Sequence, residues 1–159
     1  MFTTKIYRSW KIAQKEKYEK IHFAMPYMRG VILDLGIGFG YFERYFRKFL
    51  KAPIVGVDID IEMLRKCRHD IKVLADGNAL PFRKKSFDGI VCLDTIHLVK
   101  SYDYRRVLKP RSFVLISTFF NSCNFSERRA MLKRKTKGFR VTEKISEGRE
   151  NEIIVLALR

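Results

Sequence analysis

The sequence predicts an α/β domain: a seven-stranded, mostly parallel sheet with helices on both faces, ending in an antiparallel hairpin strand. Three observations carry this. Short apolar runs alternate with segments of helical periodicity over residues 31–118. The first apolar run passes straight into three glycines. Two further strand-like segments, FRVTEKIS and NEIIVLALR, flank a Glu-Gly-Arg-Glu turn, the pattern of a hairpin.

Residues 9–25 place Trp10, Ala13, Tyr18, Ile21 and His22 at amphipathic spacing and predict a helix. VILDLG (31–36) is the first strand. YFERYFRKFL (41–50) spaces its aromatics for a helix that Pro53 terminates before the second strand, IVGVDI (54–59). A short helix over 61–69 precedes the third strand, IKVLAD (71–76), and LPFRKKSF (80–87) is a loop. DGIVCLDT (88–95) is the fourth strand, residues 97–106 a short helical turn, and SFVLIST (112–118) the fifth strand, after a Lys-Pro turn. SERRAMLKRKTKG (126–138) predicts a helix with Ser126 as N-cap and Gly138 as stop. FRVTEKIS (139–146) and NEIIVLALR (151–159) are the closing strand pair.

The 159 residues suffice for a single domain over 1–159, with residues 1–25 as a helical lid. No apolar run is long enough to span a bilayer, and the N-terminus lacks a secretion-signal pattern, so a cytoplasmic protein without membrane partners is expected. Cys67, Cys92 and Cys123 are odd in number and lack metal-ligand spacing, so neither a metal nor a disulfide framework is expected.

The charge is uneven. Thirty-three Lys and Arg face seventeen Asp and Glu, a formal net charge of +16. Such a field favours polyanions, RNA above all; a solvated charge-rich surface is the alternative.

Four segments carry chemistry. In LDLGIGFGYF (33–42) a strand runs into Gly36, Gly38 and Gly40 and then a helix, so backbone and helix N-terminus can approach a ligand. The G-x-G-x-G spacing departs from the dinucleotide pattern, and Asp34, two residues before Gly36, suits a ligand with a cationic amino-acid end. In VGVDID (55–60), Asp58 ends the strand where a carboxylate can accept both hydroxyls of a ribose, and Asp60 can cap the next helix. In LADGNALPF (74–82), Asp76 and the N–H that follows it can read an adenine edge, or form a plain Asp-Gly turn. In SFDGIVCLDTIHLV (86–99) the strand ends at Leu93–Asp94, so Asp94 and His97 would line a reaction pocket; a helix cap and a packed helix residue are the alternatives.

DLGIGFG, VDI, ADGNALPF, SFDGIVCLDTIHLV and RVLKP, in that order over residues 30–118, resemble the class I S-adenosylmethionine-dependent methyltransferases of the UbiE-like, type 11 group. The resemblance implies a Rossmann-like fold and S-adenosylmethionine as cofactor. It implies that Asp34, Gly36, Gly38 and Gly40 hold the methionine end, Asp58 takes the ribose, and Ile59 packs on the adenine. Asp76, Gly77 and Asn78 would read the adenine edge. Leu93 would line the cofactor site, and Tyr18 resembles the tyrosine that relatives place near the amino-acid end. Two departures lie on the substrate side. Only KSYDY (100–104) separates HLV from RRVLKP, and Pro110-Arg111-Ser112 stands where relatives have Pro-Gly-Gly.

There is no N-P-P-Y after the fourth strand and no catalytic cysteine pair. Direct methyl transfer to a nucleophilic atom remains, with Asp94 and His97 as candidate bases. Arg105, Arg106, Lys109 and Arg111 form one basic cluster; Arg128, Arg129, Lys133 and Lys137 form another on the 126–137 helix, and Arg83, Lys84 and Lys85 a third. The first two are the expected RNA contacts, with tRNA or rRNA as substrate; a small-molecule acceptor and a non-catalytic binding module are the other readings. So short a chain is expected to need help from a homodimer or a small activator protein.

Overall fold

A computed structural model describes residues 4–159, with the side chains of the N-terminal helix described from Ile12 onward. Trp10 and residues 1–3, part of the expected lid, fall outside the described side chains. In chain order the elements are α1 (Thr4–Lys20), a 3₁₀ segment (His22–Tyr27), β1 (Ile32–Leu35), α2 (Tyr41–Phe46), β2 (Ile54–Asp58), α3 (Ile61–Lys66) and β3 (Lys72–Leu74). Then follow β4 (Phe87–Leu93), α4 (Tyr104–Val107), β5 (Leu108–Phe119), α5 (Phe125–Lys135), β6 (Arg140–Ser146) and β7 (Glu152–Leu158).

The seven strands lie in the order β3-β2-β1-β4-β5-β7-β6. All pairs from β3 to β5 are parallel, whereas β7 runs antiparallel to both β5 and β6. This is the Rossmann-like sheet expected, with the last strand inserted beside β5. Strand order reverses between β1 and β4, and that reversal opens a crevice at their carboxyl ends.

The central strands are near-continuous apolar runs because both faces are covered. Ile90, Cys92, Val114, Ile116, Ile153 and Val155 pack into one core, with Tyr104 and Leu132 over it. Their neighbours Val91, Phe113, Leu115, Ile154 and Leu156 pack into the other, under Tyr18 of α1, Ile21 just after it, and Phe42 and Phe46 of α2. Each fully buried side chain of this size contributes roughly 1.5–3 kcal/mol.

The helix expected over 9–25 is α1 followed by a separate 3₁₀ segment, several element ends are shorter than expected, and four further differences have a visible cause. The turn expected over 97–106 shortens to α4, because Asn78 Oδ1 accepts from the N–H groups of Lys100 and Ser101 (2.7 and 3.0 Å) and holds that stretch as a loop. β5 begins four residues early: Leu108 pairs with Phe87, and a bulge follows before Phe113 pairs with Gly89. Within it Arg111 adopts a left-handed conformation (φ 60°), which costs a residue with a side chain roughly 1–2 kcal/mol. Ser126 is not the N-cap of α5: Asn124 holds that position without a side-chain cap bond, and Asn121 Oδ1 instead accepts from the N–H groups of Cys123 and Asn124. Asp94 caps no helix; its backbone is left-handed (φ 58°) and its side chain is otherwise engaged.

Candidate active site at the carboxyl ends of the strands

The glycine turn leaves β1 with positive φ at Gly36, Gly38 and Gly40 (91°, 53° and 70°). Gly36 and Ile37 donate their N–H groups to Val57 O (2.8 and 3.0 Å), pinning the turn to β2. Close approach is possible because position 56 is Gly: a Cβ there would stand 2.1 Å from Ile37 Cδ1. At Gly38 a Cβ would meet nothing within 4 Å, so the half-buried turn opens onto free space there. The Asp58 carboxylate faces this opening and accepts from Gly38 N (2.8 Å) and Asp60 N (2.9 Å). Asp60 in turn caps α3 through the N–H groups of Glu62 and Met63.

Asp34 is buried and faces Glu43 of α2. Burial, followed by the negative charge of Glu43, raises the Asp34 pKa well above the carboxylate range, and burial raises Glu43 as well. Tyr18 packs its ring on Phe42, Tyr45 and Phe46. Burial raises its hydroxyl pKa first, and the charges of Asp34 and Glu43 add to this, so Tyr18 belongs to the same end of the crevice. A cavity of about 400 Å³ between α1 and α2, lined by Tyr18, Tyr41, Arg44 and Tyr45, adjoins it.

At the other side of the crevice, Ile59 is exposed just past β2. Asp76 Oδ1 accepts from both the backbone N–H and the side-chain Nδ2 of Asn78, each at 2.8 Å, and these bonds lower its pKa. Asn78 thus braces the loop after β3 against the loop after β4 at both ends of its amide. Gly77 packs closely against Leu35 and Val99.

Leu93 and Asp94 end β4. Ser117 Oγ of β5 donates to Asp94 Oδ1 (3.1 Å). The other Asp94 oxygen pairs with the ammonium of Lys17 from α1, which also lies 3.3 Å from Glu152 at the start of β7 and 4.3 Å from the centre of the Phe119 ring. All four groups sit at the carboxyl edge, and Lys17 is 2% exposed. Burial lowers the Lys17 pKa, with the Glu152 charge opposing. His97 is exposed one turn further on; burial and then the charge of Arg128 lower its pKa. Cys92 is fully buried, and burial raises its thiol pKa well above the usual range, so it offers no thiolate. Among the described residues no cluster of His, Cys, Asp and Glu could hold a metal, and no helix is long and apolar enough to cross a membrane.

Residues 33–116 match the family model described as a methyltransferase domain, type 11. The chain belongs to the type 11 methyltransferases. The family's cofactor is S-adenosylmethionine, and an open turn at Gly38, with the buried Asp34 behind it and the Asp58 carboxylate at its mouth, suits the chemistry of a methionine end and a ribose. The chain is 31% identical over 96 residues to a fatty-acid O-methyltransferase of Mycolicibacterium smegmatis, covering 53% of this chain and 35% of that protein. It is 32% identical over 87 residues to the human mitochondrial arginine-hydroxylase NDUFAF5, covering 52% and 25%. The chain therefore spans about a third or less of these curated relatives. Among solved structures, a methyltransferase of Aquifex aeolicus aligns over 89% of this chain and 88% of its own (TM-score 0.68, 20% identity). A complex of the Haloferax volcanii Trm112 methyltransferase activator with a methyltransferase aligns over 96% and 95% (TM-score 0.67, 18% identity). At such identities these two show the fold.

The basic clusters are divided by the structure. Arg105 Nη2 donates to the carbonyls of Lys135 and Lys137 (2.8 and 2.9 Å) and ties off the end of α5. Arg106 holds the carbonyls of Leu80 and Phe82 and the carboxylate of Asp103. Lys109 pairs with Asp88, and Arg129 with Glu143. Arg128, Lys133 and Lys137 are not so engaged: Arg128 stands near His97, and Lys133 and Lys137 line a cavity of about 390 Å³ beside β6. Lys109 and Arg111 lie at the amino-terminal edge of the sheet, away from the glycine turn. Sequence reasoning missed Lys17, Glu43, Ser117 and Glu152. A signal existed for Lys17, which falls on the apolar stripe of α1 four residues from both Ala13 and Ile21.

Proposed function

We propose that the chain is an S-adenosylmethionine-dependent methyltransferase acting on RNA. The observation that carries the substrate is the charge of +16 together with basic side chains that run along α5 from Arg128, whose charge reaches His97, to Lys133, with Lys137 just past its end. When bound, S-adenosylmethionine supplies a methyl group activated by its sulfonium. In this reading Asp58 orients the ribose, Ile59 covers the adenine, and Asp76 with the backbone at Gly77 addresses its edge. Asp34 and Tyr18 face the amino-acid end. His97 takes the proton from the acceptor atom, and partial burial, then the charge of Arg128, favours the neutral ring that can do so. Asp94 shapes the acceptor end with Lys17 rather than serving as a free base. The test is transfer of labelled methyl from S-adenosylmethionine to RNA from a strain lacking this protein. Incorporation into tRNA or rRNA supports the reading, and its absence from all RNA fractions removes it.

A second reading, a small apolar acceptor, is favoured by the aromatic cavity between α1 and α2 and by similarity to a fatty-acid O-methyltransferase. The Trm112 complex among the structural neighbours favours a small activator protein as partner.

A further inference from the structure

The amino-terminal edge of the sheet, at the opposite end from the glycine turn, holds a cavity of about 630 Å³ lined by Arg29, Arg111, Arg140 and Arg159. The four residues are distant in sequence. Arg29 precedes β1, Arg111 lies in the bulged start of β5, Arg140 opens β6, and Arg159 follows β7. The topology brings them together, because parallel strands begin where the antiparallel β7 ends. All four are exposed.

Asp88 is the one acidic side chain on the lining, and its charge is already taken. It accepts from Lys109 Nζ and from Val31 N, each at 2.8 Å. Burial opposes its ionisation, but these two bonds outweigh that and lower its pKa. Cations are therefore in excess on the lining.

Two features set this cavity apart from a chance cluster on a basic surface. Arg111 is held at φ 60°, a conformation glycine adopts freely and a side chain does not. Strain of this kind gathers where a side chain must be aimed at something. Next to it, Ser112 lines the same cavity at 2% exposure, and its Oγ has no hydrogen-bond partner among the described residues. A buried hydroxyl left unmatched is costly unless a ligand completes it. Converging guanidinium forks and a hydroxyl donor match the oxygens of a phosphate, and a guanidinium can hold two of them at once. Tyr27, 44% exposed on the rim, offers a ring face on which a base can stack.

We propose that this cavity is a phosphate-binding site that grips the sugar–phosphate backbone of an RNA at the edge of the sheet remote from methyl transfer. The choice of RNA rests on the substrate reading above; the phosphate chemistry does not. The experiment is calorimetric titration of the parent, Arg111→Gly, and Arg111→Gly with Arg140→Ala, using inorganic pyrophosphate and a short oligouridylate at several salt concentrations. Arg111→Gly melts at or above the parent temperature, because the glycine relieves the backbone. The double variant binds both probes at least about tenfold more weakly, and its salt slope for the oligouridylate falls by about 1.4, two phosphate contacts at about 0.7 each. Parent-like affinity and slope for both probes in the folded double variant overturn the site. Weakened pyrophosphate binding with unchanged oligouridylate binding overturns RNA as its ligand. Neither result depends on whether RNA accepts a methyl group, so failure of this site and failure of the substrate reading are distinguishable.

Discussion

The ammonium of Lys17 and the carboxylate of Asp94 form a buried ion pair that joins the N-terminal helix to the end of β4, with Glu152 as a second acid on the same ammonium. Removing one partner of such a pair leaves the others buried and uncompensated. Lys17→Met is expected to destabilise the protein by about 3–5 kcal/mol at neutral pH. Adding Glu152→Gln should return part of that loss, a coupling of about 0.5–3 kcal/mol. Urea unfolding of the two single variants and the double variant measures it; strictly additive losses would show that the two residues are not coupled. Hydrogen exchange in α1 of Lys17→Met reports whether the helix then behaves as a lid.

The Asp34–Glu43 pair gives a pH dependence of definite sign. Burial and the neighbouring acid raise the Asp34 pKa in the folded chain above its unfolded value. Its contribution to stability is therefore complete below the unfolded pKa and is lost as pH rises through the folded one. Asp34→Asn should flatten that loss and raise the melting temperature at neutral and alkaline pH. It should also weaken S-adenosylmethionine by about 1.5–3 kcal/mol, the worth of a hydrogen bond to a charged group. Binding to the parent should release a proton, visible as a buffer-dependent heat in calorimetry. Equal heats in buffers of different ionisation enthalpy would separate Asp34 from the ligand's ammonium.

Burial and Arg128 hold the His97 pKa below 6.5. If the neutral imidazole accepts the proton, the rate rises with pH through that lowered value and is already level near pH 7. Arg128→Ala should move the rising limb to higher pH, and His97→Gln should remove it with about a hundredfold loss in kcat. A pH–rate profile unchanged in both variants would take His97 out of the chemistry.

Arg106 and Lys133 belong to one charge count but to different tasks. Arg106 holds two carbonyls and Asp103, so Arg106→Ala should lower the melting temperature by undoing the loop before β4. Lys133→Ala with Lys137→Ala should leave the melting temperature unchanged and weaken RNA binding, lowering the salt slope by up to about 2. Thermal melts beside RNA titrations separate the two; equal thermal losses in both would make Lys133 and Lys137 structural.

The strands were legible because each buried run is apolar on both faces, and the glycine turn because its spacing permits few backbones. Asp60 was readable as a cap from its place alone, since a cap bond is local. Buried charge was not readable. Lys17, Asp94 and Glu152 come from the first helix, the fourth strand and the last strand, and nothing in their local sequence states that they meet. Arg105 and Arg106 look like any surface cluster until the carbonyls they satisfy are known, because a charge count holds no information about partners. Ser126 was misplaced as a cap by a similar limit: Asn121, five residues earlier, already turns the chain.

The position of β7 between β5 and β6 bears on how the molecule assembles. Until residues 152–158 are in place, β5 presents an apolar strand with an unpaired edge, and β6 has nothing to lie against. The sheet is therefore completed when the β6–β7 hairpin, itself a local pairing, docks its β7 edge onto β5, a closure between parts further apart in the chain. The same event delivers Glu152 to Lys17. A refolding chain can therefore pack α1 on the aromatics of α2 while Lys17 still lacks its second acid, which comes only with the hairpin.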